Sequence, residues 1–335
     1  MSTNAAKTPT IGIILGDHAG IGPEITAMAM IREKHAEYAT VLVGNLSLFQ
    51  RSMKVLPDNR EIEWTDISED THCKKEAGKV YFYNIPSYGD VPFSRVTAAS
   101  GRLIYDSMQA MLRLEREKAV DGFVMGPITK QSLHAAGLDY ASEFDIFSEF
   151  YQTSGIRAVI RAGDIFRCTV VGHVRFRDIV QKLTPKGVVD TAHALLEVMK
   201  RFHVKNETIA VAALNPHAGE DGLFGDEEQV ILQPAIDTLT AEGCSVIGPC
   251  PADTVYRRAQ TGKVGGIVFL YHDQGNIAMK AASFGDGVLI YTGVPARIVS
   301  VGHGGAFGSA GKGTADPSNL IAAMRTLADM ILQEI

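Results

Sequence analysis

Residues 266–275 read GIVFLYHDQG, an apolar run that ends in polar side chains. A short apolar run with glycine before it is typical of a strand buried in a parallel sheet. Open α/β sheets bind their ligands at the carboxyl ends of such strands. His272 and Asp273 occupy that position, and Lys280 follows eight residues after the histidine. The stretch therefore predicts an α/β fold with a functional site at a strand end.

Two further histidines lie in similar contexts. His173 follows an apolar run in the segment VGHVR, and His217 belongs to the polar segment NPHAGE. Three imidazoles bind Zn, Mn, Co or Ni and leave coordination positions open for substrate oxygens. His173, His217 and His272 together therefore predict a three-histidine metal site that polarises a substrate alcohol. Taken one at a time, each also fits a hydrogen-bonded surface histidine, and the sequence alone does not show that they meet.

Charged neighbours complete this interpretation. A metal that binds an alkoxide favours hydride loss and then stabilises the enolate. Lys280 could bind a carboxylate or relay a proton, and we predict it as a catalytic residue. Asp253 and Asp273 are predicted to accept hydrogen bonds from the imidazoles, and Asp253 is therefore assigned to the catalytic group as well.

Length and composition limit the class of protein. A chain of 335 residues usually forms two domains. The net charge of −6, without a basic block, argues against a nucleic-acid partner. No apolar run approaches the roughly 20 residues of a membrane helix, and no signal peptide is recognisable. The four cysteines form no Cys-x-x-Cys pair, which favours reduced thiols. We expect a cytoplasmic protein without a membrane partner that acts on a small molecule.

Glycine-rich segments stand near both ends of the chain. After a predicted strand at residues 11–15, the loop 16–24 carries glycines whose spacing does not match the dinucleotide fingerprint G-x-G-x-x-G. A helix and a strand at 39–44 follow, which predicts a parallel sheet. Residues 302–313 contain six glycines in twelve positions. We expect this second segment to let the backbone approach a large ligand rather than to serve packing.

Five motifs in chain order resemble the 4-hydroxythreonine-4-phosphate dehydrogenase family. They are GD-x-AGIGPE at 16–24, NPHAGE at 215–220, PADT at 251–254, YHDQG at 271–275 and HG-x-A at 303–306. The resemblance extends from about residue 9 to 330. The family includes sugar-acid phosphate and terephthalate cis-dihydrodiol dehydrogenases. The segment 303–316 also resembles the cofactor loop of isopropylmalate and isocitrate dehydrogenases.

The resemblance implies an architecture. We expect a two-domain α/β fold like that of isocitrate and isopropylmalate dehydrogenases, with a cleft between the domains. One domain would comprise residues 1–127 and 300–335 and carry both glycine loops. The other, residues 128–299, would carry the metal ligands and a dimer interface. A homodimer with active sites at the subunit interface is expected.

The resemblance also implies a reaction. An NAD- or NADP-dependent dehydrogenase would oxidise a secondary alcohol near a carboxylate, with loss of CO₂. One divalent metal (Zn, Mn, Co or Mg) would be held by His173, His217 and His272. Lys280 matches a substrate-contacting lysine of the family. The residues expected to bind the nucleotide are His303, Gly304, Gly305, Ala306 and Asp316.

The predicted substrate pocket departs from the family pattern. Glu143 and Phe144 stand where the family has a His-Thr pair that contacts a phosphorylated substrate. Leu289 replaces an asparagine, and Arg297 lies one position away from the family's arginine. These four residues are predicted to line the substrate pocket.

A more apolar pocket of this kind favours a cis-dihydrodiol carboxylate of the terephthalate type. The alternative substrates are 4-hydroxythreonine-4-phosphate and four-carbon sugar-acid phosphates. A metal-dependent hydrolase or aldolase, which would turn over without nucleotide, and a non-catalytic binding module are the rival classes.

Overall fold

The computed structural model describes residues 8–33, 36–57, 61–282 and 287–333. Contacts divide the chain into two compact units, the first from 1–154 with 294–335 and the second from 155–293. Each unit contains strands of the sheet with helices packed on them, so the predicted α/β class is confirmed. No helix in the described ranges combines the length and apolar character needed to cross a membrane.

The elements alternate along the chain as expected of parallel sheets. The strands are β1 Thr10–Ile14, β2 Ala39–Gly44, β3 Trp64–Asp66, β4 Val80–Asn84, β5 Gly122–Met125, β6 Arg157–Ala162, β7 Ile165–Val171, β8 Ile209–Ala212, β9 Val246–Cys250, β10 Gly266–Tyr271, β11 Val288–Thr292 and β12 Ile298–Val301. The helices are α1 Gly22–Arg32, α2 Leu46–Met53, α3 Ala98–Arg116, α4 Lys130–Ala135, α5 Glu143–Tyr151, α6 Ile179–Lys182, α7 Pro185–Arg201, α8 Gln233–Ala241, α9 Ala252–Gln260, α10 His272–Ala282 and α11 Ser318–Leu332.

The first unit contains a parallel sheet in the order β3-β4-β2-β1-β5-β12. Its central strand β1 is buried throughout, because α3 and α11 both pack against this part of the sheet. The predicted β–loop–α–β opening is therefore confirmed. The loops that follow β1, β5 and β12 emerge at the carboxyl edge of the sheet, and both glycine-rich segments belong to them.

The second unit has a mixed sheet in the order β11-β6-β7-β10-β8-β9. Strands β11, β6 and β7 pair antiparallel, whereas β7, β10, β8 and β9 run parallel. The apolar run at 266–271 forms β10 between β7 and β8, and five of its six residues are buried. The carboxyl ends of β7, β10 and β8 therefore emerge at one edge.

The boundaries of the units differ from the predicted ones at 127/128 and 299/300. Residues 128–154 and 294–299 lie in the first unit instead. The reason is packing: α4 lies against α3, and the ring of Phe147 contacts that of Phe123 edge-on at 6.2 Å. The Gly-Pro pair after β5 ends a strand without ending the unit.

Candidate functional site

Two of the three predicted metal ligands are neighbours in the structure. Val171 of β7 pairs with Tyr271 of β10, so His173 and His272 leave the sheet side by side. Their ring centroids are 5.0 Å apart with an interplanar angle of 45°, and both side chains are exposed. Parallel pairing of the two strands thus produces an imidazole pair at the carboxyl edge, which suits a shared metal ion.

A carboxylate orients one of these rings. The Nδ1 atom of His272 lies 2.7 Å from Oδ1 of Asp273. When Nδ1 donates its proton to this carboxylate, Nε2 keeps its lone pair for a metal, the arrangement typical of metal-binding histidines. Asp253 and Asp273 were both predicted to accept a hydrogen bond from a ligand histidine. In the structure, Asp273 is the one placed to accept it from His272.

Asp253 and Lys280 are both exposed. Asp253 lies in the first turn of α9, where a carboxylate is favoured by the helix dipole. Within the described ranges it forms no hydrogen bond or ion pair with the predicted ligands. Lys280 lies in the last turn of α10, the helix that begins with His272. An exposed ammonium at that position can contact a small anion.

His217 lies in a backbone conformation that the sequence did not suggest. All five residues from 217 to 221 have positive φ, with His217 at φ 53° and ψ 28°. Left-handed conformation costs roughly 1–2 kcal/mol for each non-glycine residue. Backbone strain of this kind is concentrated at functional sites.

A buried carboxylate holds the base of this loop. Glu228 is 4% exposed, and it accepts hydrogen bonds from the amides of Leu214 and Asn215 at 2.8 and 2.7 Å. It also accepts one from the Asn215 side chain at 2.9 Å. Glu228 therefore fixes the segment that presents His217. No sequence signal distinguished it from the other glutamates of this loop.

The third imidazole does not join the pair within one chain. Among described residues, the only group of three potential ligands with all ligand atoms within 4.8 Å is His193, Glu242 and Cys244. His217 instead has its Nδ1 3.5 Å from Oε1 of Glu220. The structure thus brings together His173 and His272, and His217 does not complete a group of three ligands with them.

Two further side chains organise this edge. The amide of Gln274 accepts from Leu270 N at 2.8 Å and donates to Ala213 O at 2.7 Å, linking the ends of β10 and β8. Beneath α10, Arg167 is 1% exposed and donates to the Asn276 side chain. Burial lowers the pKa of Arg167 to about 10. Gln274 was visible in the YHDQG motif, whereas a buried arginine cannot be recognised from sequence.

The residues predicted to bind a nucleotide lie in the first unit. His303 is half-buried, with Nδ1 3.0 Å from Gly304 O, and Ala306 is left-handed at φ 43°. The carboxylate of Asp316 accepts from the backbone and hydroxyl of Ser318, and these bonds lower its pKa. Asp316 therefore also stabilises the turn that leads into α11, a structural role that the sequence did not predict.

The glycines of 302–313 serve two purposes. At Gly305, Gly311 and Gly313 an added Cβ would overlap neighbouring atoms, with the closest contact 2.1 Å at Gly313. The expectation that packing does not need these glycines was wrong for these three positions. At Gly304 and Gly308 the Cβ direction is open: only Ile128 O at 4.0 Å lies near Gly304 and nothing within 4 Å of Gly308. The open positions fit a bound ligand.

The predicted substrate residues fall in three places. Glu143 and Phe144 are half-buried in the first turn of α5, which a Ser142–Asp145 capping box begins. Leu289 pairs with Ile160 inside the sheet of the second unit.

Arg297 precedes β12 at the amino edge of the first sheet and donates to the Asp121 carbonyl at 3.1 Å. That edge is opposite to the glycine loops. The arginine therefore braces the start of β5, a position that favours a structural role.

Comparison with known proteins gives consistent matches. A family model described as pyridoxal phosphate biosynthetic protein PdxA matches residues 36–327. A 4-hydroxythreonine-4-phosphate dehydrogenase from Geobacter metallireducens is 33% identical over 96% of this chain and 95% of its own. A D-threonate 4-phosphate dehydrogenase from Bordetella bronchiseptica is 31% identical over 97% of this chain and 93% of its own.

Solved structures extend the similarity to three dimensions. The crystal structure of 4-hydroxythreonine-4-phosphate dehydrogenase from Klebsiella pneumoniae superposes with a TM-score of 0.84 at 30% identity, covering 98% of this chain and 99% of that one. A terephthalate 1,2-cis-dihydrodiol dehydrogenase from Burkholderia xenovorans has a TM-score of 0.65 at 24% identity, covering 96% of this chain and 98% of that one. The second likeness concerns the fold alone.

Proposed function

Because the chain belongs to the PdxA family, we propose that it oxidises a secondary alcohol of a phosphorylated four-carbon hydroxy acid with NAD or NADP. Loss of the neighbouring carboxylate as CO₂ completes the proposed reaction. The observation that carries the proposal is the imidazole pair of His173 and His272 at the ends of β7 and β10. Full-length relatives of the same family are named dehydrogenases, which confirms the predicted enzyme class.

The proposed substrate class differs from the one favoured by sequence. Relatives at 31% and 33% identity are named for phosphorylated substrates, whereas the terephthalate enzyme is similar in fold only. These names support the alternative, a 4-hydroxythreonine or threonate phosphate, over a cis-dihydrodiol carboxylate. Glu143 and Phe144 remain the departures that any phosphate pocket must accommodate.

A divalent metal fits the donor set of the second unit. His173, His272 and His217 would hold it, and Asp273 would keep His272 in the tautomer whose Nε2 is a ligand. When bound, the metal would polarise the substrate alcohol as a Lewis acid. Lys280 would bind the anionic group of the substrate through its ammonium. Glu228 would hold the strained loop so that His217 needs little reorganisation.

The nucleotide is proposed to bind along the second glycine-rich segment. The open positions at Gly304 and Gly308 support this, because backbone amides without side chains can approach a pyrophosphate. His303 and Ala306 would contribute from the same segment. Asp316 stays among the proposed nucleotide contacts, because both hydrogen bonds from Ser318 go to Oδ1 of an exposed carboxylate.

Turnover of a substrate panel tests this function. We expect reduction of NAD⁺ or NADP⁺ with 4-hydroxythreonine-4-phosphate or D-threonate 4-phosphate when Mn²⁺, Co²⁺ or Zn²⁺ is present.

The double variant Glu143→His, Phe144→Thr should raise kcat/KM for these phosphates about tenfold, because it removes a carboxylate that repels the substrate phosphate. Glu149→His on the same helix is the control. Turnover of a cis-dihydrodiol carboxylate alone would contradict the proposed substrate, and turnover without nucleotide would contradict the enzyme class.

We also propose a homodimer formed through the second unit. Its exposed large apolar side chains cluster in sequence around the predicted ligands: Phe176, Val180, Leu223, Phe224, Val230 and Ile277. Phe176 is 79% exposed three residues after His173, and Ile277 is 69% exposed five residues after His272. Large apolar side chains exposed together usually mark an interface.

Charge placed on this surface should dissociate the dimer. For Phe176→Glu combined with Ile277→Glu, we expect sedimentation as a monomer, because burying two carboxylates in an interface is strongly unfavourable. Val96→Glu, an exposed apolar position in the first unit, should leave the mass unchanged. A double variant that sediments like the wild type would place the interface elsewhere.

A further inference from the structure

Glu24 is a buried carboxylate that contacts the second glycine-rich segment. It stands in the first turn of α1 and is fully buried. Its two oxygens accept hydrogen bonds from the backbone amides of Gly311 and Gly313, the latter at 3.0 Å. A helix-dipole contact explains an acidic residue at this position but not its pairing with amides nearly 290 residues later.

The geometry of the two glycines leaves their amides dependent on Glu24. Both have positive φ, 76° at Gly311 and 65° at Gly313. An added Cβ would meet the ring of Phe93 at Gly311 and the carbonyl of Val55 at Gly313. The backbone is therefore closely packed here, and a buried amide without an acceptor is costly.

The start of the segment is tied to the same loop that precedes α1. Ile21 N donates to Gly305 O at 2.9 Å, and Gly20 approaches Gly305 so closely that a Cβ would lie 2.5 Å from its carbonyl oxygen. The open position Gly308 lies between these attachments, and Gly304 directly precedes the first of them. The loop before α1 and the first turn of α1 therefore hold both ends of the segment, and the Cβ direction of Gly308 between them is open to a ligand.

Arg51 lies near the Glu24 clamp, which is the contact of the Glu24 carboxylate with the amides of Gly311 and Gly313. Burial raises the pKa of Glu24, while the two glycine amides and the Arg51 guanidinium oppose this shift. Arg51 stacks on the ring of Phe93 at 3.9 Å, the ring that packs against Gly311. Arg51 also donates to the carbonyl of His18 at 3.0 Å, so it is fixed beside Glu24.

We propose that Glu24 is a positioning residue for nucleotide binding, which shapes residues 303–313 by holding the amides of Gly311 and Gly313. The inference rests on the proposed function, since the segment is there taken as the nucleotide site. Glu24 itself, buried beneath the segment, acts through the backbone. Loss of the clamp should weaken nucleotide binding without affecting the metal ligands of the second unit.

Glu24→Gln tests this role, because the amide retains the shape but offers one acceptor where two are used. We expect the Kd for NADH or NADPH, measured by fluorescence, to rise about 10- to 100-fold, as for loss of a hydrogen bond to a charged group. KM for the hydroxy acid and metal content should stay unchanged. Amide hydrogen exchange at 303–313, measured without nucleotide, should accelerate. Glu115→Gln is the matched control, a carboxylate of the same unit that is 4% exposed and bonded to Tyr151 and Lys118.

The outcomes separate the two proposals. If the wild type binds nucleotide and Glu24→Gln binds it equally well with unchanged exchange, the positioning role is wrong. If the wild type binds no nucleotide, the proposed function fails, while hydrogen exchange still reports the clamp. Should Glu24→Gln not fold, Glu24→Asp keeps the charge on a shorter side chain, and it should show the same weakening. Equal binding by a folded Glu24→Asp and equal exchange would also overturn the role.

Discussion

We expect His217→Asn to lower kcat at least about 10³-fold and to lose most of the bound metal, because Lewis-acid stabilisation supplies several kcal/mol. Asparagine is chosen because it tolerates the left-handed backbone at φ 53°. The variant therefore removes the imidazole without adding strain to the loop. Steady-state kinetics and metal analysis of the purified variant measure both effects.

His203→Asn is the matched control for this variant. His203 is also exposed, lies in the same unit and has φ 49°. We expect it to keep full activity and metal. Full metal occupancy in His217→Asn would show that this histidine is no ligand.

A mixing experiment decides how His217 reaches the other two ligands. His217→Asn and His272→Asn are each expected to be inactive. If the ligands come from two subunits, the mixed dimers hold one intact site each, and activity returns to about one quarter of wild type on random exchange in a symmetric dimer. No recovery on mixing would instead mean that the 215–228 loop closes onto the pair within one chain.

Lys280→Met is expected to lower kcat/KM for a phosphorylated hydroxy acid about 10²–10³-fold, because a substrate charge loses its partner. Methionine keeps the apolar stem and the helix propensity of this position in α10. Most of the loss in kcat/KM should appear as a higher KM, because the ammonium binds the substrate equally in the ground state and in the transition state. Initial rates over a range of substrate concentrations measure the split.

Lys263→Met is the control for Lys280, as another exposed lysine of the second unit. It should leave kcat/KM unchanged. A Lys280→Met enzyme with wild-type kinetics on every anionic substrate would remove this lysine from the site.

The core of the fold could be predicted from local patterns. The apolar run of β10 and the strand at 11–15 both lie inside parallel sheets, because continuous apolar strands need cover on both faces. The ends of these strands then predicted where polar side chains gather. His173 and His272 are neighbours, however, only because β7 lies next to β10. Neither segment alone allows that strand order to be predicted.

Other parts of the site depend on long-range contacts that no local pattern carries. Glu228 and Glu24 look like ordinary surface glutamates, yet each is buried against backbone amides. The left-handed turn at His217 is held by such a contact. Arg297 was predicted to line the substrate pocket because it lies one position away from the family's arginine. It precedes β12, however, so it lies at the amino edge of the sheet, opposite to the glycine-rich loops.

The three-histidine centre is the claim on which the reaction depends. Anomalous diffraction from crystals grown with Zn²⁺ or Mn²⁺, collected on both sides of the metal edge, tests it most directly. We expect one strong peak per chain within about 2.0–2.3 Å of imidazole nitrogens from His173, His217 and His272. Peaks confined to other residues, such as His193 with Glu242 and Cys244, or no peak near the imidazole pair, would contradict it.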